Sequence, residues 1–313
     1  MEYRGMKDVL DFFTSRERIF KFFDNRHWLD WLPDETYLKL AFRAAMGHPL
    51  DLKAPKTFSE KLQWLKLYDR DPLYTTLVDK YAVRKYVADK IGEEHLIPLV
   101  GGPWYSAGEI DFDSLPEQFV LKCNHNSGGV IICRDKSSFD IEGAKARLNK
   151  FLARNYFYSS REWPYKNVKP CIIAEKYMDD GSDDRNGGLR DYKFYCFGGE
   201  VKFVLITTDR AAKDRPTRYN YFDREFNALP FSKSGPRYEG IIDRPNRYEE
   251  MLEIAQGLAE GLPQVRVDMY LVKDRIYFGE LTFFAAGGMA RFDPPEWDER
   301  IGSWLELPER GGK

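Results

Sequence analysis

Apolar and polar positions alternate with period two over VRVDMYLV, from Val265, and again over IYFGELTFF, from Ile276. Lys273, Asp274 and Arg275 lie between the two runs. Alternation of this kind predicts two strands of a hairpin, each with one apolar and one polar face. Arg266 and Asp268 share a face of the first strand, and Glu280 and Thr282 share a face of the second. Once the hairpin closes, the four side chains meet on one side of the sheet. Carboxylates among apolar neighbours are costly to bury unpaired. Two readings relieve that cost: a salt bridge from Arg266 to Asp268 or Glu280 on a solvated face, or a hard cation such as magnesium on the oxygens.

Helical spacing dominates residues 1 to 70. Val9, Leu10, Phe12, Phe13, Ile19, Phe20, Phe22 and Phe23 recur as a stripe. With Trp28 and Trp31, this stripe is expected to pack against the body of the protein rather than touch a membrane or a partner. Pro33 and the stretch from Pro49 to Pro55 break the helices. Thr57, with Glu60 three residues on, has the spacing of a capping box. Asp79 to Ile91 reads as a charged amphipathic helix ended by Gly92, with Lys80 in its first turn. Further strands are expected over 95–102, 117–124, 130–135 and 170–178, and a hairpin over 191–210 around Gly198-Gly199. Helices are expected over 139–155 and 247–262, and residues 211–240 read as loop.

Composition narrows the class. A chain of 313 residues accommodates one large domain or two to three subdomains. Lys and Arg number 48 against 50 Asp and Glu, so the net charge of −2 offers nothing to bulk nucleic acid. The four cysteines, Cys123, Cys133, Cys171 and Cys196, lie far apart without a CxxC spacing, which points away from zinc or a disulfide scaffold. The N-terminal MEYRGMKDVLDFF carries charges where a signal peptide needs an apolar run, and no stretch approaches the ~20 apolar residues of a membrane span. The expected location is cytoplasmic.

Three further stretches carry candidate chemistry. Asn124 to Gly129 is a hydrogen-bonding, Gly-rich hairpin tip next to Lys122. It reads either as a cradle for an anion or as an ordinary turn. It is neither GxxxxGK[ST] nor GxGxxG. His125 in this tip is either a general base or a polar turn residue. Glu175-Lys176 ends an apolar strand, where backbone edges can pair with a planar ring, and Asp179 or Asp180 could accept from ribose hydroxyls. The alternative is an exposed acidic loop. Asp191 and Lys193 share a strand face, where the lysine meets phosphates or solvent. Asp111-x-Asp113 has the spacing of some glycosyltransferases, but no alternating βα pattern surrounds it.

The order of these features resembles the ATP-grasp superfamily over about residues 75 to 295. The strings PKTFSEKLQWLKLYDRDPLYTTLVDKYAVRKYV, IGEEHLIPLVGG, FVLKCNHNSGG and GELTFF resemble the TupA-like ATP-grasp family, found among bacterial cell-surface polysaccharide genes. The resemblance implies an α+β fold in which two α+β subdomains of mainly antiparallel sheet clamp ATP. Its implied division is a helical N-terminal region (1–74), a preceding segment (75–115), a lid subdomain (116–175) and a catalytic subdomain (176–313). It implies ATP and Mg2+ as cofactors. Lys80 and Lys122 would contact the nucleotide, Ser127, Gly128 and Gly129 would form the lid over the phosphates, and Glu175, Lys176 and Tyr177 the adenine hinge. Asp179 or Asp180 would reach the ribose. Asp268 and Glu280 would hold magnesium, while Arg266 and Lys193 face the transferred phosphate. Thr282 stands where many relatives have asparagine and offers a weaker oxygen.

The implied activity is a carboxylate–amine ligase that forms an acyl phosphate and then an amide, releasing ADP and phosphate. Its partners would be a small-molecule or sugar-linked carboxylate and an amine, with peripheral association with polysaccharide assembly machinery. Gly287 and Gly288 would leave room for the acceptor and Arg291 would pair with a carboxylate. Arg215, Arg218 and Tyr219 would bind a uronic acid sugar. A sugar phosphotransferase, a glycosyltransferase and a non-catalytic nucleotide-binding subunit are the alternatives.

Overall fold

The computed structural model describes residues 15–180, 189–208, 216–233 and 235–310. Val9, Leu10, Phe12 and Phe13 of the N-terminal stripe lie outside them. The chain divides into two compact units, the first formed by 1–70, 157–163 and 284–313, the second by 71–156 and 164–283.

The first unit is helical. It contains α1 (Arg16–Asp24), α2 (Asp34–Met46), α3 (Phe58–Tyr68) and, from the C-terminal stretch, α8 (Glu296–Trp304). The expected capping box opens α3: the Thr57 hydroxyl accepts from the Glu60 amide, and the Glu60 carboxylate accepts from the Thr57 amide. Asp298 on α8 accepts from the Ser59 amide and hydroxyl at 2.9 and 3.0 Å, which fastens the two helices by their polar ends. Gly302 permits this approach, because a Cβ there would sit 2.3 Å from the Lys56 carbonyl.

The second unit carries two antiparallel sheets, so the fold is α+β. Before them come α4 (Leu73–Val78) and α5 (Val83–Ile91). Lys80 therefore precedes α5 instead of lying in its first turn. Its amide donates to the Asn124 carbonyl, and the Asp79 carboxylate holds the turn by accepting from Tyr81 and Ala82. The first sheet has the order β1 (Leu99–Trp104), β4 (Ile172–Lys176), β2 (Phe119–Cys123), β3 (Val130–Cys133). Phe119, Leu121, Ile172 and Ala174 turn to one face and are fully buried with Leu148 of α6 (Ile141–Leu152). Alternation then forces Val120, Lys122 and Glu175 onto the other face.

The second sheet has the order β10 (Arg275–Thr282), β9 (Gln264–Val272), β5 (Tyr192–Phe197), β6 (Glu200–Thr208), β7 (Arg218–Asp223). The β9–β10 turn is tighter than expected. Only Lys273 and Asp274 lie in it, both at positive φ (48° and 61°), and Arg275 already pairs with Val272. That is the conformation a two-residue hairpin turn needs to match strand twist. Val265, Val267 and Met269 are buried on the face covered by α7 (Tyr248–Ala259), which leaves Arg266 and Asp268 on the opposite face. β7 and the short β8 (Ser232–Lys233) fall in the stretch expected to be loop, where short strands are bounded by scattered charges and prolines. No helix among the described residues is long and apolar enough to cross a membrane.

Candidate active site

The polar faces of the two sheets line a cleft of ≈ 410 Å³ in the second unit. Lys80, Lys122, Ser127, Gly128, Glu175, Lys176, Tyr177, Asp191, Lys193, Asp268 and Glu280 all contribute to its walls. The sequence thus scatters over two hundred residues what the fold collects in one place.

Strand register explains the charged centre. Asp268 pairs with Lys193 of β5 on one side and with Glu280 of β10 on the other, and Arg266 pairs with Thr282. The Lys193 ammonium lies 2.5 Å from Asp268 Oδ2 and 3.1 Å from Asp191 Oδ1. Arg266 grips the same carboxylate in a fork, Nε to Oδ1 at 2.6 Å and Nη2 to Oδ2 at 2.7 Å. Its Nη2 also donates to the Thr282 hydroxyl at 3.0 Å and lies 3.4 Å from Glu280. Burial disfavours the Arg266 charge, but Asp268 outweighs it and holds the guanidinium well above its ordinary pKa. A bulge between Phe278 and Glu280 re-aims the end of β10. Gly279 sits in it, where a Cβ would come within 3.0 Å of the Asp268 carbonyl.

The salt-bridge reading of the hairpin is therefore realised, though in a buried setting: Asp268 is 1% exposed. The donor chemistry also fits a hard cation. Asp268, the partly exposed Glu280 and the Thr282 hydroxyl present oxygens on adjacent strands. No group of three His, Cys, Asp or Glu side chains suited to a metal occurs among the described residues. Two carboxylates suit magnesium, which takes its remaining ligands from water and phosphate, rather than a closed protein cage.

On the opposite wall, Glu175 lies 2.5 Å from Lys122 and 3.7 Å from Arg84, a residue the sequence reading passed over. Lys80 donates to the Asn126 carbonyl at 2.7 Å and stands 3.7 Å from Glu280. Of the lysines that line the cleft, Lys80, Lys122 and Lys193 are each already oriented by an oxygen partner. The hairpin tip above them is built by asparagines. Asn124 clamps Cys171 and Lys169 through its side chain, and the Asn126 amide oxygen accepts from Gly129. A Cβ at Gly129 would stand 2.2 Å from that oxygen, and Gly128 adopts φ 86° over open space. At the end of β4 the Lys176 amide is engaged by the Pro98 carbonyl, which leaves the Tyr177–Met178 edge facing the cleft. Asp179 is exposed and Asp180 accepts from the Arg190 amide at 2.7 Å; neither lines the cleft.

Other expected residues fall elsewhere. His125 does not face the cleft: it is 1% exposed, with Nε2 donating to the Arg154 carbonyl at 3.1 Å and Nδ1 without a partner. Burial lowers its pKa, so it is held neutral. The unfolded state then takes up this proton first as pH falls. Stability is expected to drop below about pH 6.5, by up to about 1.4 kcal/mol per pH unit, with His125→Gln flattening the slope. Urea midpoints at pH 7.5 and 5.0 for both proteins would check this; parallel slopes would exclude His125 as the source.

Arg218 and Tyr219 start β7 on the far edge of the sheet, with Arg218 donating to the Arg237 carbonyl at 3.3 Å. Arg215 lies outside the described residues. Gly287, Gly288 and Arg291 belong to the first unit. Gly287 and Gly288 adopt positive φ (63° and 67°) and turn their carbonyls to Lys66 Nζ at 2.7 Å and Gln63 Nε2 at 2.9 Å. Burial pushes the Lys66 ammonium down to about 8. Arg291 holds the Ala45 carbonyl at 2.8 Å.

The sequence matches the family model described as TupA-like ATPgrasp over residues 60–306. Comparison with curated proteins finds no match. Among solved structures, the chain is similar to D-alanine–D-alanine ligase from Bacillus anthracis complexed with ATP, at 16% identity and TM-score 0.37, over 72% of this chain and 57% of that one. It is similar to N5-carboxyaminoimidazole synthase from Aspergillus clavatus in complex with ADP and 5-aminoimidazole ribonucleotide (15%, TM-score 0.38, 66% and 44%). A third is the ATP-grasp ligase PsnB complexed with a minimal-precursor variant, Mg and ADP (12%, TM-score 0.40, 83% and 65%). The chain thus spans roughly half to two thirds of these proteins, with shares of 57%, 44% and 65%.

Proposed function

The chain belongs to the TupA-like ATP-grasp family, and on that footing we propose that it is an ATP-dependent carboxylate–amine ligase working through an acyl phosphate. The observation that carries this reading is the convergence of Lys80, Lys122, Lys193, Asp268 and Glu280 on one cleft beneath a glycine tip.

In this reading the γ-phosphate passes to a substrate carboxylate, and an amine then displaces phosphate to leave an amide. The enzyme's own work is positioning and charge neutralisation. Lys80 and Lys122 exchange their present oxygen partners for phosphate oxygens. Lys193 and Arg266, fixed by Asp268, hold positive charge beside the transferred group. Thr282 orients Arg266 through its hydroxyl. Asp268 and Glu280 would hold magnesium, which supplies further neutralisation of the phosphates. Ser127 to Gly129 cover the site and exclude the water that would hydrolyse an acyl phosphate. The Tyr177–Met178 edge takes the adenine. Dependence on ATP fits a cytoplasmic enzyme. The acceptor we propose is a uronic acid sugar of a surface polysaccharide or its precursor, bound near Arg218 and Tyr219, joined to an amino acid or amine.

Magnesium-ATP should raise the unfolding temperature of the wild type, and Glu280→Ala should lose most of that shift. A ligand at a hundredfold excess over its Kd adds ~2.7 kcal/mol to a state that alone binds it. A carboxylate and amine screen should then release ADP and phosphate together. No shift with any nucleotide would sink the reading, and ADP without free phosphate would turn it into a phosphotransferase.

A further inference from the structure

The first unit presents aromatic side chains that the expected packing does not cover. Trp31 is 79% exposed, Trp28 57% and Phe23 38%. Phe22, Phe23 and Trp28 pack edge to face or tilted against one another, with centroids 5.5 to 6.3 Å apart. They form a knob at the C-terminal end of α1 and the turn after it.

This knob is held rigid from beneath. Arg161 is 1% exposed and donates through Nη2 to the Leu29, Asp30 and Leu32 carbonyls at 2.9, 3.1 and 3.3 Å. It lies 3.5 Å from Asp34 and stacks on Tyr37, Phe157 and Tyr158. Backbone amides of the turn are also satisfied: Asn25, Arg26, His27, Trp28, Asp30 and Leu32 all donate within it. Even the Trp31 indole N–H is turned inward, donating to the Trp28 carbonyl at 3.0 Å. Much of the turn's backbone is thus paired before any contact with an apolar phase, which lowers the cost of entering one.

On α1 and the turn after it the exposed charged residues are cations, and each acidic residue is engaged by a partner. Arg16, Arg18, Lys21 and Arg26 are exposed, whereas Glu17, Asp24 and Asp30 are only partly accessible. Asp24 accepts from Tyr37 at 2.8 Å, Asp30 contacts His27 at 3.0 Å and Glu17 pairs with Lys21 at 2.6 Å. Arg18 lies one helical turn before Phe22, and Arg26 stacks on the Phe22 ring at 3.5 Å. Aromatic rings flanked by exposed cations are the composition of a bilayer interface anchor on an anionic leaflet. A sugar platform would instead offer a flat ring with outward polar groups for hydroxyls, whereas the indole N–H of Trp31, the most exposed ring, is already taken by the Trp28 carbonyl.

We propose that the Phe22, Phe23, Trp28 and Trp31 knob docks the protein on the surface of an anionic lipid bilayer. Docking is peripheral and reversible. It uses the first unit alone and does not depend on the activity assigned to the cleft.

The full chain, without nucleotide, is sedimented with vesicles of phosphatidylcholine alone or with equal phosphatidylglycerol. The wild type should bind the anionic vesicles with a blue shift of tryptophan emission, and bind neutral ones weakly. The double change Trp28→Ala and Trp31→Ala alters only exposed side chains and should lower the partition coefficient at least about tenfold. Arg18→Gln and Arg26→Gln should each lower it about fivefold and weaken its salt dependence. No binding to anionic vesicles would overturn the proposal. So would binding that the tryptophan changes leave intact, or retention on an acidic polysaccharide resin with none on vesicles.

Discussion

Asp268→Asn should cut turnover at the cleft by at least about 10²- to 10³-fold, the scale for losing one preorganised charge contact at a reacting centre. The carboxylate does two jobs. It is the common anchor of Lys193, at 2.5 Å, and Arg266, in a two-point fork at 2.6 and 2.7 Å. It is also the buried half of the carboxylate pair with Glu280, its partner across the β9–β10 ladder. Asparagine keeps the volume and one acceptor but removes the counter-charge the two cations share, leaving Lys193 with Asp191 and Arg266 with the more distant Glu280. Two measurements separate catalysis from collapse. Binding of ATP in the absence of magnesium should persist or tighten, because Lys193 and Arg266 are freed for phosphate. The additional thermal shift from magnesium should disappear. Asp268→Ala, which removes the acceptors altogether, should in addition cost about 3–5 kcal/mol of stability, as for breaking a buried ion pair. Full turnover in Asp268→Asn would reduce the cluster to a structural ion network.

Arg161→Ala should destabilise the first unit by about 3–5 kcal/mol. Three carbonyls, the Asp34 carboxylate and three aromatic faces lose their shared partner at once. Lysine should not rescue it, since one ammonium cannot replace a planar fork that stacks and donates together. Backbone conformation adds a second signature. Arg161 has φ 53°, in the left-handed region. Arg161→Gly should therefore be less damaging than Arg161→Ala by about 1 kcal/mol, although both remove the same side chain. Urea unfolding followed by circular dichroism gives both differences. Equal losses for Gly and Ala would show that the backbone conformation at this position carries no cost.

The β9–β10 hairpin could be read directly because period-two alternation and a short polar turn are local signals. The same holds for the β2–β3 tip, the β5–β6 hairpin around its glycines and the Thr57 capping box. Family-specific strings added the fold, since the matched stretch of 60–306 covers most of the chain. β7 escaped because its six residues, RYNYFD, are short and bounded by charges, in a stretch whose prolines read as loop. Gly287 and Gly288 read as open amides for a ligand, and local signals gave no hint that their carbonyls, turned by positive φ, accept from the buried Lys66 and Gln63 respectively. His125 looked like a catalytic tip residue, yet it is sealed beside the end of α6.

What the sequence by itself determined are the elements with local rules: alternation, helix caps, glycine turns and the residue types able to handle phosphate. Only the tertiary structure decided the partners. Lys193 meets Asp268 because β5 adds to β9 across some seventy residues of chain, and Lys122 meets Glu175 because β4 inserts between β1 and β2. It also decided that Trp28 and Trp31 face outward. Strand order and burial depend on long-range packing, where any one residue's preference is small beside the area that the whole sheet or helix pair removes from water.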